Sequence, residues 1–171
     1  MTGRARLVCV MGVSAAGKST VGAALAQALQ VPFADADDLH PQANRTKMAS
    51  GTPLTDDDRW PWLDAVGACF AASGDGLVMA CSALRRVYRD RIRAHAPEVV
   101  FVHLDGTREL FAARATARTD HFMPASLLTS QLDTLERLDP DEVGVVADVA
   151  APVDEIVARV AAALAVLSAG R

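Results

Sequence analysis

Lysine and arginine form no dense block anywhere in this 171-residue chain, and its formal net charge is -4. That balance argues against a nonspecific nucleic-acid partner or an anionic membrane surface. Cysteine is scarce. Cys9, Cys69 and Cys81 are odd in number and lack metal-ligand spacing, so they read as small buried hydrophobes in a reducing compartment. The longest apolar stretch, near the C-terminus, is broken by Arg159, which argues against a membrane span. Arg4 and Arg6 lead straight into an apolar run; no secretory leader is expected, and the cytoplasm is the expected compartment. No internal repeat and no Pro/Gly/Ser-rich linker divides the sequence, whose length fits one domain spanning 1–171. An Asn-Lys-x-Asp string is missing too, which removes the guanine-reading element of a GTPase switch.

What is present is regular. Apolar runs of strand length occur at Leu7 to Met11, Pro32 to Ala36, Leu77 to Cys81, Val99 to Leu104 and Val143 to Val149. Helical spacing separates them, with one helix expected to start near Trp60 and another near Ala83. The last stretch, from Val153 to Leu167, repeats its apolar residues as an amphipathic helix does. Strands alternating with helices predict an α/β three-layer sandwich: a five-stranded parallel sheet with helices on both faces. Two stretches interrupt the alternation. Residues 37–62 are polar and proline-dotted, and residues 114–127 carry Arg114, Arg118, His121 and Phe122. Both follow strands, where open α/β sheets bind ligands. The first is expected to be a substrate-binding segment and the second a helical lid.

The strongest motif lies between the first strand and the first helix. Gly12-Val13-Ser14-Ala15-Ala16-Gly17-Lys18-Ser19 fits G-x-x-x-x-G-K-[ST] at every fixed position. Its glycines let the backbone curl so that successive N–H groups face one anion, and the helix N-terminus adds its dipole. This predicts a nucleoside triphosphate site over Gly12 to Thr20. Lys18 would reach the β- and γ-phosphates, and the Ser19 hydroxyl would ligate Mg²⁺.

Phosphoryl transfer then needs an acceptor held in line, positive charge and exclusion of water. At the end of the second strand Asp35 and Asp37 stand two residues apart, on one face of an extended chain. One could hold a water on Mg²⁺ and the other could take the acceptor's proton; a solvated acidic loop is the alternative. His40 lies in the same acidic segment, whereas His95 and His103 are read as structural. Asp105 and Asp148 each end an apolar run without the following Glu that a motor ATPase uses, so both read as strand termini. Of Trp60 and Trp62, at least one is expected in the core. Arg85, Arg86 and Arg89 open a helix after the third strand, where like charge costs about 0.5 kcal/mol that an acidic ligand would offset. Arg114 and Arg118, four apart, share a helical face; they would close over the nucleotide or simply face solvent.

Several strings in this chain closely resemble the gluconokinase family. They are His40-Pro41, Asn44, Lys47 to Gly51, Pro53-Leu54 and Asp56-Asp57-Asp58-Arg59 with Pro61-Trp62-Leu63. Cys81 to Leu84, Tyr88-Arg89-Asp90, His121-Phe122 and Gln131 extend the likeness over most of the chain. The departures are minor. Ala15 and Ala16 stand where many relatives carry Gly-Ser, and Arg85-Arg86 replaces a pair of lysines in some. The resemblance implies a thermoresistant-type gluconate kinase of the P-loop small-molecule kinases, related to the shikimate and nucleoside monophosphate kinases. It implies ATP-dependent phosphorylation of D-gluconate on its 6-hydroxyl, with Mg²⁺, in a cytoplasmic homodimer that needs no nucleic acid or membrane. By similarity Arg59, Ser82, Arg86 and Gln131 surround the sugar acid, with Asp37 and His40 on its hydroxyls. Asp37 is the expected base, with Asp35 holding Mg²⁺ through water. Lys18 and Arg118 are expected to stabilise the transferring group, with Arg114 also on ATP.

Overall fold

The computed structural model describes residues 6–117 and 125–170. Five strands form one parallel sheet: β1 (Leu7–Met11), β2 (Phe33–Asp35), β3 (Leu77–Ala80), β4 (Val100–Asp105) and β5 (Gly144–Asp148). Their order across the sheet is β2-β3-β1-β4-β5. The expected α/β sandwich is therefore observed. Seven α-helices are described with it: α1 (Lys18–Leu29), α2 (Gln42–Ala49), α3 (Asp56–Ala71), α4 (Arg86–His95), α5 (Arg108–Ala117), α6 (Ala125–Thr134) and α7 (Val153–Ala169).

The period-two pleat sorts the strand residues into two cores. Val8, Val10, Val78, Val100, Val102 and Leu104 pack with Leu25 of α1, Phe111 of α5, Leu128 of α6 and Leu164 of α7. Cys9, Met11, Met79 and Phe101 face the other way, against Leu63, Val66 and Phe70 of α3 and Ile92 of α4. Strands buried on both faces need unbroken apolar runs rather than alternation, which is why they stood out in the sequence. Each side chain fully buried this way contributes about 1.5–3 kcal/mol.

Topology then fixes where a ligand can sit. Chain direction moves from β1 out to β2, returns to β3, and crosses to β4 on the far side of β1. The reversal beside β1 opens a crevice at the carboxyl ends of the strands, and the glycine loop leaves β1 at that point.

Two sequence expectations require correction. The helix expected near Trp60 begins at Asp56, because Thr55 and Asp58 form a reciprocal capping box. Pro61 lies within that helix, with no N–H to give to the carbonyl four residues back. The helix expected near Ala83 begins at Arg86, since Ala83 adopts φ 43° and Arg85 is extended. The segment 37–62, expected to bind substrate, runs through a 3-10 turn (Ala36–Leu39), α2 and the start of α3.

Arg89 is no loose basic residue at a helix start. It is fully buried, donating from Nε to Glu142 at 2.8 Å and from Nη1 to the Ala83 carbonyl at 2.9 Å. Trp62 is core, its indole N–H donating to the Ala36 carbonyl at 2.7 Å. Asp105 and Asp148 end their strands, as expected. Among the described residues the three cysteines are free, and no helix is long and apolar enough to cross a membrane.

Candidate active site

The glycine loop has the backbone its sequence calls for. Gly12 sits at φ 148° and Gly17 at φ 85°, either side of a 3-10 turn over Ser14–Ala16. A Cβ on Gly12 would come within 3.1 Å of the Leu104 carbonyl oxygen; at Gly17 the left-handed backbone itself favours glycine. Lys18 opens α1, and its ammonium donates to the Val13 carbonyl at 3.0 Å. The cation is thus folded back over the mouth of the loop. Ser19 donates from Oγ to Asp35 Oδ2 at 3.2 Å.

Asp35 is the last residue of β2, so its carboxylate arrives beside the start of α1. Its Oδ1 accepts the Asp37 N–H at 2.9 Å, capping the turn that follows. That turn carries Asp37 out of the extended register imagined from sequence. Burial foremost, then repulsion from Asp35, pushes the Asp37 carboxyl above its ordinary range, with Lys18 partly opposing the shift. A carboxylate raised toward neutrality beside a cation suits proton acceptance. His40 is buried and stacked on Trp62, ring centroids 4.2 Å apart, with Nδ1 at 3.2 Å from the Asn44 amide. Burial, then Arg45 and Arg59, lower its pKa, so a neutral imidazole packs there.

A cavity of about 470 Å³ opens where α3, the β3–α4 loop and the end of α6 meet. That volume lies within the range of small-molecule sites. Asp56, Arg59, Arg85 and Tyr88 line one side, and Asp133 to Glu136 the other. The guanidinium carbons of Arg59 and Arg85 each lie 5.5 Å from the centre of the Tyr88 ring. Asp56 ties them together: Arg85 donates to it at 2.7 Å, Arg59 at 3.4 Å, and the Tyr88 hydroxyl at 2.5 Å. The Tyr88 hydrogen bond foremost, with both arginines, holds the Asp56 carboxyl below its ordinary range. Two guanidinium groups thus lie against one tyrosine ring and share the Asp56 carboxylate, with Glu136 also accepting from Arg85 at 3.4 Å.

The expected acceptor residues do not all meet in this cavity. Arg59 lines it. Arg86, expected at the acceptor, is instead engaged by Asp139 at 2.9 Å and Asp141 at 2.6 Å. Ser82 is half-buried, its carbonyl accepting the Gly12 N–H at 3.3 Å. Gln131 reaches the glycine loop, where its Oε1 accepts from Ser14 N at 2.7 Å and Ser14 Oγ at 2.8 Å. Arg114 donates to the Val149 carbonyl at 2.5 Å. Arg118, His121 and Phe122, with the rest of 118–124 in the expected lid, lie outside the described residues. Sequence reasoning missed Arg85, Tyr88 and Asp56 as pocket residues. The available signal was the basic run before α4, in which Arg85 is the N-cap and Tyr88 follows in the first turn.

Comparison with known proteins gives the family. The family model described as shikimate kinase matches residues 14–142. A gluconokinase of Gluconobacter oxydans (strain 621H) is 47% identical over 140 residues, 80% of this chain and 79% of that protein. The thermosensitive gluconokinase of Escherichia coli (strain K12) is 44% identical over 141 residues, covering 80% and 75%. A crystal structure of a gluconokinase from Sinorhizobium meliloti 1021 superposes with TM-score 0.88 at 50% identity, covering 96% of this chain and 94% of that one. The chain belongs to the gluconokinases, within the P-loop kinases that also include the shikimate kinases.

Proposed function

We propose that this protein transfers the γ-phosphoryl group of ATP to the 6-hydroxyl of D-gluconate. The observation that carries this reading is the pairing of a glycine loop with a cavity that presents Arg59, Arg85 and Tyr88. The glycine loop suits a triphosphate, and the Arg59–Tyr88–Arg85 pocket suits a carboxylate attached to a small polyol. A carboxylate entering the pocket takes hydrogen bonds from Arg59 and Arg85 in competition with Asp56, while Tyr88 offers its ring to the sugar chain.

Asp37 accepts the proton of the attacking hydroxyl. Lys18 turns from the Val13 carbonyl toward the phosphates and neutralises charge on the transferred group. Arg118 is proposed to help it, and Arg114 to flank the nucleotide. Ser19 and Asp35 present hard oxygen donors 3.2 Å apart, a set that fits Mg²⁺ held mainly by substrate phosphates and water. When bound, the ion would neutralise phosphate charge there; Ser19 would ligate it directly and Asp35 through water. His40 supports the acceptor segment through its stack on Trp62, and Ser82 borders it. A cytoplasmic homodimer completes the reading, supported by the family resemblance.

A panel of acceptors tests this: gluconate, other aldonates, glucose, shikimate and a nucleoside monophosphate, each with ATP and Mg²⁺. ADP release is expected with gluconate well above the rest. Release that is equal without any acceptor would make the protein an ATPase and overturn the reading.

A further inference from the structure

α6 spans the distance between the glycine loop and the cavity and is bonded to both. At its middle, Gln131 Oε1 accepts from the N–H and hydroxyl of Ser14 in the glycine loop. One turn on, Thr134, Leu135 and Glu136 form the far wall of the acceptor cavity. The Leu135 N–H donates to the Gln131 carbonyl at 2.9 Å, which carries the helical frame as far as Leu135. Glu136 then closes the circuit: its N–H donates to the Leu84 carbonyl at 2.7 Å, and its carboxylate accepts from Arg85 Nε at 3.4 Å. Ser82, in the same β3–α4 loop, accepts from Gly12. Glycine loop, α6 and acceptor loop are therefore linked in a ring.

A backbone N–H can only donate, so the atom of Gln131 facing Ser14 must be its carbonyl oxygen. The side-chain NH₂ is then the other branch of an amide anchored on Ser14 of the glycine loop. Leu128, three residues earlier, is buried with Val13, Ala15 and Ala16, so the helix is seated on the loop by apolar contact as well. Such a seat restricts where the amide can point.

We propose that Gln131 is a positioning residue that couples the nucleotide site to the acceptor pocket, so that each ligand binds more tightly once the other is present. The inference rests on the acceptor reading above and reassigns Gln131 from direct contact with the sugar acid. Nucleotide phosphate engages the Gln131 NH₂ and fixes α6, which pre-orders the Thr134–Glu136 wall and, through Glu136, Arg85. The same linkage runs in reverse, because coupling between two binding sites is reciprocal.

Calorimetric titration of gluconate, with and without a non-hydrolysable ATP analogue and Mg²⁺, tests it in wild type, Gln131→Ala and Gln131→Glu. Wild type is expected to bind gluconate at least about fivefold more tightly with the analogue present, the lower end of ordinary coupling. Gln131→Ala should bring that ratio to within about twofold of unity, with gluconate affinity in the absence of nucleotide nearly unchanged. Gln131→Glu keeps an acceptor for Ser14 but replaces the NH₂ with oxygen, so it should also lose the coupling. A ratio between two states of one variant is insensitive to a general loss of stability. A wild-type ratio retained in Gln131→Ala would overturn the proposal. So would a loss of tenfold or more in gluconate affinity without nucleotide, which would return Gln131 to direct contact. Wild type that binds the analogue but never gluconate would overturn the acceptor reading itself, and this proposal with it.

Discussion

The glycine loop and the Arg59–Tyr88–Arg85 cavity, proposed to hold triphosphate and acceptor, are built in opposite ways. The loop is contiguous: Gly12 to Ser19 supply its backbone curl, its cation and its hydroxyl within eight residues. The pocket is assembled from the first turn of α3, the β3–α4 loop with α4, and the end of α6. Backbone amides and a helix dipole can be fixed by local sequence, because phosphate recognition needs little else. Recognition of one particular acid needs side chains placed by tertiary packing. The difference teaches that a shared nucleotide site and a private acceptor site can sit on one scaffold and vary independently.

Substitutions can break this comparison from either side. The largest effect is expected at the carboxylate that faces Lys18. Asp37→Asn should lower kcat by about 10²–10⁴-fold, the usual contribution of a positioned base, with nucleotide binding little changed. Steady-state kinetics checks it; a rise in the gluconate KM alone would make Asp37 a positioning group. The pH profile sharpens the point. Because the base must be ionised, kcat/KM rises as pH passes its pKa, and that pKa lies above the ordinary carboxylate value. The acid limb should therefore sit higher than for an unperturbed aspartate.

Lys18→Ala should cost about 10²–10³-fold in kcat, as loss of one donor to the developing charge does. Circular dichroism should show the fold intact. Wild-type turnover would remove Lys18 from the mechanism. On the acceptor side, Arg59→Ala and Arg85→Ala should each raise the gluconate KM by about tenfold or more, from about 1.5–3 kcal/mol of charged hydrogen bonding. The KM for ATP should barely move. Equal losses for both ligands would erase the distinction between the sites. The smallest effect is structural. Thr55→Ala removes the cap that fixes the start of α3, and with it Asp56 and Arg59. It should cost about 1 kcal/mol and lower Tm by about 2–4 °C, which thermal melting would register.

How far the sequence could be read follows the same division. The strands and the loop were legible because buried parallel strands are continuous apolar runs and the loop motif is local. Helix starts were less so. The start of α3 depended on a Thr55–Asp58 capping box that its polar context hid within an apparent loop. Ala83 sits at φ 43°, a conformation alanine does not favour, so nothing in its identity marked the delayed start of α4.

Within the site, Arg59 was placed on the acid by similarity and does line the cavity. Arg86 and Arg85 are neighbours that the structure gives different partners, Asp56 and Glu136 for Arg85. Arg86 is taken by Asp139 and Asp141, more than fifty residues away in sequence, leaving Arg85 for the pocket. Long-range ion pairs of that kind have no local signature. Gln131 is the same lesson, since its contact with Ser14 spans 117 positions.

The central claim is that phosphate leaves ATP for a sugar acid rather than for water. Phosphorus NMR of wild-type protein with ATP, Mg²⁺ and gluconate addresses it directly. The expected spectrum gains one phosphomonoester, coupled to the protons of carbon 6, in step with ADP. A spectrum that gains only inorganic phosphate, at the same rate with and without gluconate, would contradict the account.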